Sequence, residues 1–96
     1  MLDWLRRMVE INSFTTNIVG VNKLGKLTTE CFAELGFEPE FVPATHPQHG
    51  SHLFLRRGPA EQPPIVLVTH LDTVFPPEEE LANDFRWQPD GRRIFG

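Results

Sequence analysis

The side chains best suited to chemistry are His70 and Asp72, which follow the run Ile65-Val66-Leu67-Val68-Thr69. A neutral imidazole can bind a metal through one ring nitrogen while a hydrogen bond holds the other. An acid two residues further on projects to the same side of an extended chain, because side chains alternate with period two. That spacing lets Asp72 hold or orient His70. A lone His-x-Asp pair also describes a surface hydrogen bond or a strand-end cap, so the metal reading needs support from its surroundings. The uninterrupted apolar run behind Pro63 and Pro64 predicts a short strand, Ile65 to Thr69, buried on both faces. Strands of that kind belong to the parallel part of an α/β sheet, where ligands gather at the carboxyl ends.

Other reactive side chains have plainer readings. His46, His49 and His52 would share one face of a helix, but Pro43, Pro47 and Gly50 interrupt any helix there. They read as structural or incidental histidines, able to pick up nickel or zinc adventitiously. Ser13, Thr15 and Thr16 lie in no Gly-x-Ser-x-Gly elbow and read as turn and helix-start residues. Cys31 falls within an apolar stripe and reads as a core residue. Gly91 and Gly96 lack the spacing and the Lys-Ser/Thr of a phosphate loop. Glu78-Glu79-Glu80 reads as a solvated face or a helix start, and Trp4 and Trp87 as packing residues.

The elements that must position His70 and Asp72 follow from periodicity. Leu2, Leu5, Met8 and Val9 predict a short amphipathic helix running to about Ile11. Asn17 is placed to cap a second helix, whose Leu24, Leu27, Thr28, Cys31, Phe32 and Leu35 mark one buried stripe. Gly36 is the expected left-handed stop, with Phe37 folding back on the helix. Strands are expected over Phe37–Val42, at an edge because of Pro39, and over His52–Arg56. Pro43 to Gly50 reads as loop and Gly58 to Pro64 as turn. Glu78–Glu80 opens a helical turn or loop, and a last strand, Arg92–Phe95, follows an Asp90-Gly91 turn. Two helices followed by strands predict an α/β fold, the first part of a three-layer domain. Its sheet would be incomplete, with an unsatisfied edge and an uncovered face.

Composition narrows the function classes. Ninety-six residues make one small unit, 1–96, with no room for a second module. A formal net charge of -4 argues against a nucleic-acid binder. No apolar run is long enough to span a membrane. At the N-terminus the charges follow the apolar residues, the reverse of a signal peptide, so a cytoplasmic location is expected.

The segment from Ile65 through His70-Leu71-Asp72-Thr73-Val74 to Pro76 resembles the first metal motif of a family of zinc-dependent amidohydrolases: the aminoacylases, acetylornithine deacetylases and glutamate carboxypeptidases. Upstream, Leu5 to Ser13 with Asn17, Gly20 and Leu35-Gly36-Phe37 is similar to that family's opening helices. Downstream, Phe85-Arg86-Trp87, Asp90-Gly91 and Ile94-Phe95-Gly96 resemble the lead-in to its second metal motif. The carboxypeptidase branch that removes C-terminal glutamate is the nearest. The resemblance implies a three-layer α/β/α catalytic domain with two zinc ions. His70 would be a ligand of one zinc, and Asp72 the acid of the catalytic centre that hydrogen-bonds His70. It further implies a small peptide or N-acyl amino acid as substrate, and a homodimer of the complete enzyme, formed through a lid domain. The bridging aspartate, the paired glutamates and the other ligands of that family have no counterpart before Gly96. The chain is therefore expected to be the N-terminal portion of the enzyme, inactive and without tight zinc by itself. The alternative from another class is a non-catalytic α/β interaction module, in which His70 and Asp72 make only a structural hydrogen bond.

Overall fold

Helix α1, Leu2–Val9, carries Asp3 in its first turn and Arg6 and Arg7 in its last, the charge order that suits a helix dipole. It closes two residues short of the expected Ile11. The computed structural model describes all of residues 1–96. Helix α2, Ile18–Ala33, begins where Asn17 predicts: the Asn17 side chain accepts the Gly20 N–H at 3.1 Å. It stops as the Gly36 signal predicts. Gly36 takes φ +80°, its N–H reaches the Ala33 carbonyl at 2.9 Å, and the Phe37 N–H reaches the Phe32 carbonyl at 3.3 Å. These are the two bonds of a Schellman motif, and the Phe37 ring meets Phe32 edge-on at 5.5 Å.

Strand β1, Glu38–Val42, and strand β2, His52–Arg56, form an antiparallel pair, with Phe41 opposite Leu53 and Pro39 opposite Leu55. Residues directly opposite share a face, so Phe41 and Leu53 point together, and Phe41 lies over Gly25 of α2. The connecting loop is tied down at its far end. The Ser51 N–H donates to the Asn22 side chain at 2.8 Å, and Gly50 is buried against Val21, leaving no room for a Cβ. Helix α3, Pro77–Ala82, follows Pro76, with its glutamates in the first turn. Strands β3, Gln88–Asp90, and β4, Arg93–Phe95, form a second antiparallel hairpin. Its loop is Gly91-Arg92, one residue later than the expected Asp90-Gly91 turn, with Gly91 at φ +57° supplying the left-handed position.

The result is a small mixed α/β fold with three helices and two separate two-stranded antiparallel sheets. Its apolar core is thin: Val21, Leu24 and Leu27 of α2 are the only buried large hydrophobics. The lower half of the expected stripe, Cys31 and Phe32, is half-buried, and Leu35 is exposed. The radius of gyration, 15.2 Å, exceeds the ~13 Å of a compact chain of this length. The shortest dimension is 18 Å, thick enough for one helix on one sheet and too thin for three layers.

One expectation is corrected. Ile65–Thr69 forms no strand, and Ile65, Val66, Leu67 and Val68 are exposed by 94, 71, 91 and 91%. A run apolar on both sides needs a strand on each flank and a layer on each face. Each sheet of this chain is a two-stranded pair made by other segments, and no strand pairs with Ile65–Val68. The sole parallel pairing is a single bridge between Phe14 and Thr73.

Candidate functional site

The site is a corner, residues 70–75, held against the link between α1 and α2. Two main-chain bonds form it: the Thr73 N–H donates to the Ser13 carbonyl at 2.9 Å, and the Thr15 N–H donates to the Thr73 carbonyl at 3.2 Å. Ser13 is almost fully buried, whereas Thr73 is exposed. Asn12 secures the far side, its amide donating to the Phe75 carbonyl at 3.2 Å and to the Glu80 carboxylate. The Asn17 amide in turn donates to the Asn12 carbonyl at 3.0 Å, so the residue that starts α2 also fixes the link. Gly20 lies against that same carbonyl, where a Cβ would collide with it. Leu71 anchors the corner to α2 beside Gly25.

His70 and Asp72 come together as their spacing predicts, but through a different atom. Nδ1 of His70 lies 2.8 Å from the main-chain carbonyl of Asp72 and 3.5 Å from its carboxylate Oδ1. A carbonyl oxygen only accepts, so a bond at 2.8 Å places a proton on Nδ1 and, in the neutral ring, leaves Nε2 with a lone pair. The His70 side chain is 81% exposed, so that lone pair faces solvent. The carboxylate has a different principal partner: the Thr15 hydroxyl donates to Oδ2 at 2.6 Å, within the range of a charge-assisted bond. The Thr15 bond holds the Asp72 carboxyl below its ordinary pKa, against a smaller opposing effect of desolvation. Asp72 is thus held as an anion, Oδ2 toward Thr15 and Oδ1 on the His70 side.

The three spaced histidines do not converge. His46 and His49 stack with ring centroids 4.4 Å apart, whereas His52 lies on β2. The His46 Nδ1 accepts the Gln48 N–H at 3.3 Å, which puts its proton on Nε2, the opposite tautomer to His70. His46 therefore offers no free lone pair at its outer nitrogen. No group of three or more His, Cys, Asp or Glu side chains is placed to hold a metal ion. Zinc needs three or four protein ligands. The residues present fit one corner of such a site, with Nε2 of His70 as the donor, and a full shell would need ligands from outside residues 1–96.

Sequence reasoning missed one member of this cluster. Thr15, read as a turn residue, is the main partner of Asp72. It has no spacing signal, because Thr15 and Asp72 are 57 positions apart. Cys31 is half-buried and free, in keeping with a packing role. Fold and site together describe a small mixed α/β chain with an exposed histidine–aspartate corner. Compared with protein-family models, with curated proteins and with solved structures, the chain finds no match. No helix is long and apolar enough to cross a membrane.

Proposed function

We propose that residues 1–96 are the N-terminal portion of the catalytic domain of a zinc-dependent amidohydrolase. Its substrate would carry the scissile amide next to a free carboxylate, as in an N-acyl amino acid or a peptide with a C-terminal glutamate. The observation that carries this reading is the His70 ring, with Nδ1 fixed on the Asp72 carbonyl and Nε2 open to solvent. Metal-bound histidines are held in this manner, the second nitrogen donating to a carbonyl or carboxylate.

His70 would hold one zinc through Nε2. Zinc bound there would supply Lewis-acid polarisation of a carbonyl and a water of lowered pKa. The Asp72 carbonyl keeps the imidazole in its Nδ1–H tautomer and sets the ring plane. The Asp72 carboxylate, 3.5 Å away, adds negative charge beside the ring and favours a cation at its far nitrogen. The exposed run Ile65–Val68 would be the strand of the complete sheet, buried once neighbours outside this chain flank it.

The test is the coding sequence downstream of the Gly96 codon, followed by assay of the longest in-frame product with zinc on N-acyl amino acids and C-terminal glutamyl peptides. Continuation to an aspartate and later a Glu-Glu pair, with zinc-dependent hydrolysis lost in His70→Ala, is the expected outcome. A stop codon, or hydrolysis unchanged in His70→Ala, removes the proposal.

A second reading is favoured by one observation, the exposure of Ile65–Val68. On it the chain is a non-catalytic interaction module whose apolar run meets a partner, and His70 and Asp72 are structural. The same downstream sequence separates the two.

A further inference from the structure

We propose that Thr15 is a positioning residue for the His70–Asp72 corner, fixing the Asp72 carboxylate so that Oδ1 stays on the imidazole side. The geometry of this role is independent of the metal reading above; its value to catalysis rests on that reading.

The Thr15 hydroxyl has one proton and two acceptors within reach: Asp72 Oδ2 at 2.6 Å and the Thr73 carbonyl at 3.4 Å. The nearer acceptor is charged and lies at the short distance of an O–H···O⁻ bond, so it takes the proton. A carboxylate on a two-bond side chain otherwise rotates freely at a surface, and the Asp72 side chain is 37% exposed. Holding Oδ2 leaves Oδ1 as the oxygen nearest His70 Nδ1. The backbone of Thr15 serves the same corner through its N–H bond to Thr73, and the neighbouring Ser13 carbonyl receives the Thr73 N–H. One threonine thus sets both the position of the corner and the orientation of its acid. The α1–α2 link is part of the site, although it lies 57 residues upstream of the acid it holds.

The variants that test this are Thr15→Val, which keeps the shape and β-branching but loses the hydroxyl, and Thr15→Ser, which keeps the hydroxyl. In the full chain, three-bond couplings report the Asp72 χ1 rotamer, and long-range nitrogen spectra report the His70 ring. The expected result is one fixed Asp72 rotamer in the wild type and Thr15→Ser, and loss of that rotamer in Thr15→Val with a shifted His70 Nδ1 signal. An unchanged rotamer in Thr15→Val, or a Thr15→Ser variant that behaves like Thr15→Val, overturns the proposal. Should Thr15→Val fail to fold, the wild type decides: a slowly exchanging Thr15 hydroxyl proton with a cross-peak to Asp72 supports it, and its absence overturns it. Addition of zinc alone to the longest in-frame product forms a separate arm, because residues 1–96 by themselves hold no complete zinc site. Absence of any zinc-dependent change at His70 Nε2 there counts against the metal reading, and the rotamer data decide the Thr15 assignment.

Discussion

Ile65–Val68 and Asp72–Thr73 are neighbours in sequence and opposites in their surroundings. The first is as apolar as any stretch of the chain, yet it lies in solvent without a strand partner. The second is polar, yet two main-chain bonds and the Thr15 hydroxyl tie it to the α1–α2 link. Apolar character creates a demand for burial; only a partner meets it. In this chain partners are supplied to the polar corner and withheld from the apolar run.

The contrast can be broken from either side. The largest effect is expected inside the thin core. Leu27→Ala should cost about 2–5 kcal/mol, because Leu27 is one of the three buried apolar side chains, with Val21 and Leu24. Denaturant unfolding measures it, and a loss of cooperativity is the extreme form of the same result. Asn17→Ala should cost about 1 kcal/mol for the lost helix cap. Loosening of the Asn12 link is expected with it, read as faster amide exchange at Thr73. By contrast, Val66→Asp should change the stability of the isolated chain by no more than about 0.5 kcal/mol, as for other unpartnered surface positions. A cost near that of Leu27→Ala would show that the run is buried after all.

The smallest effect is one of pH. The Thr15 bond lowers the Asp72 pKa from 3.8, so the contact contributes stability above the unfolded value. That contribution fades as pH falls through the lower, folded value. The wild type should therefore exceed Thr15→Val near neutrality, with the difference shrinking in acid below pH 3.8. A difference that widens on acidification would contradict the Thr15–Asp72 bond.

Local signals were readable in the sequence because they act within a few residues. The Asn17 cap, the Gly36 stop, the bounds of β2 and the Gly91 turn each depend on one side chain or one φ angle. What escaped was long-range. The Thr15–Asp72 bond joins residues far apart, and threonine suits a turn equally well. The His70 partner is a main-chain carbonyl, a group every residue carries, so no residue type announces it. The expected strand at Ile65 failed for a related reason: periodicity and apolarity describe what a strand wants, and pairing depends on what stands beside it. The proposed enzyme places those neighbours outside residues 1–96.

The most direct test of the site is the tautomer of His70, read from long-range nitrogen–proton spectra at a pH where the ring is neutral. A fixed Nδ1–H tautomer with an unprotonated Nε2 is expected, with His46 in the same spectrum showing the opposite form. An Nε2–H tautomer at His70, or a freely averaging ring, would show that the outer nitrogen is not held open as a donor, and the metal-ligand role proposed for His70 would fall with it.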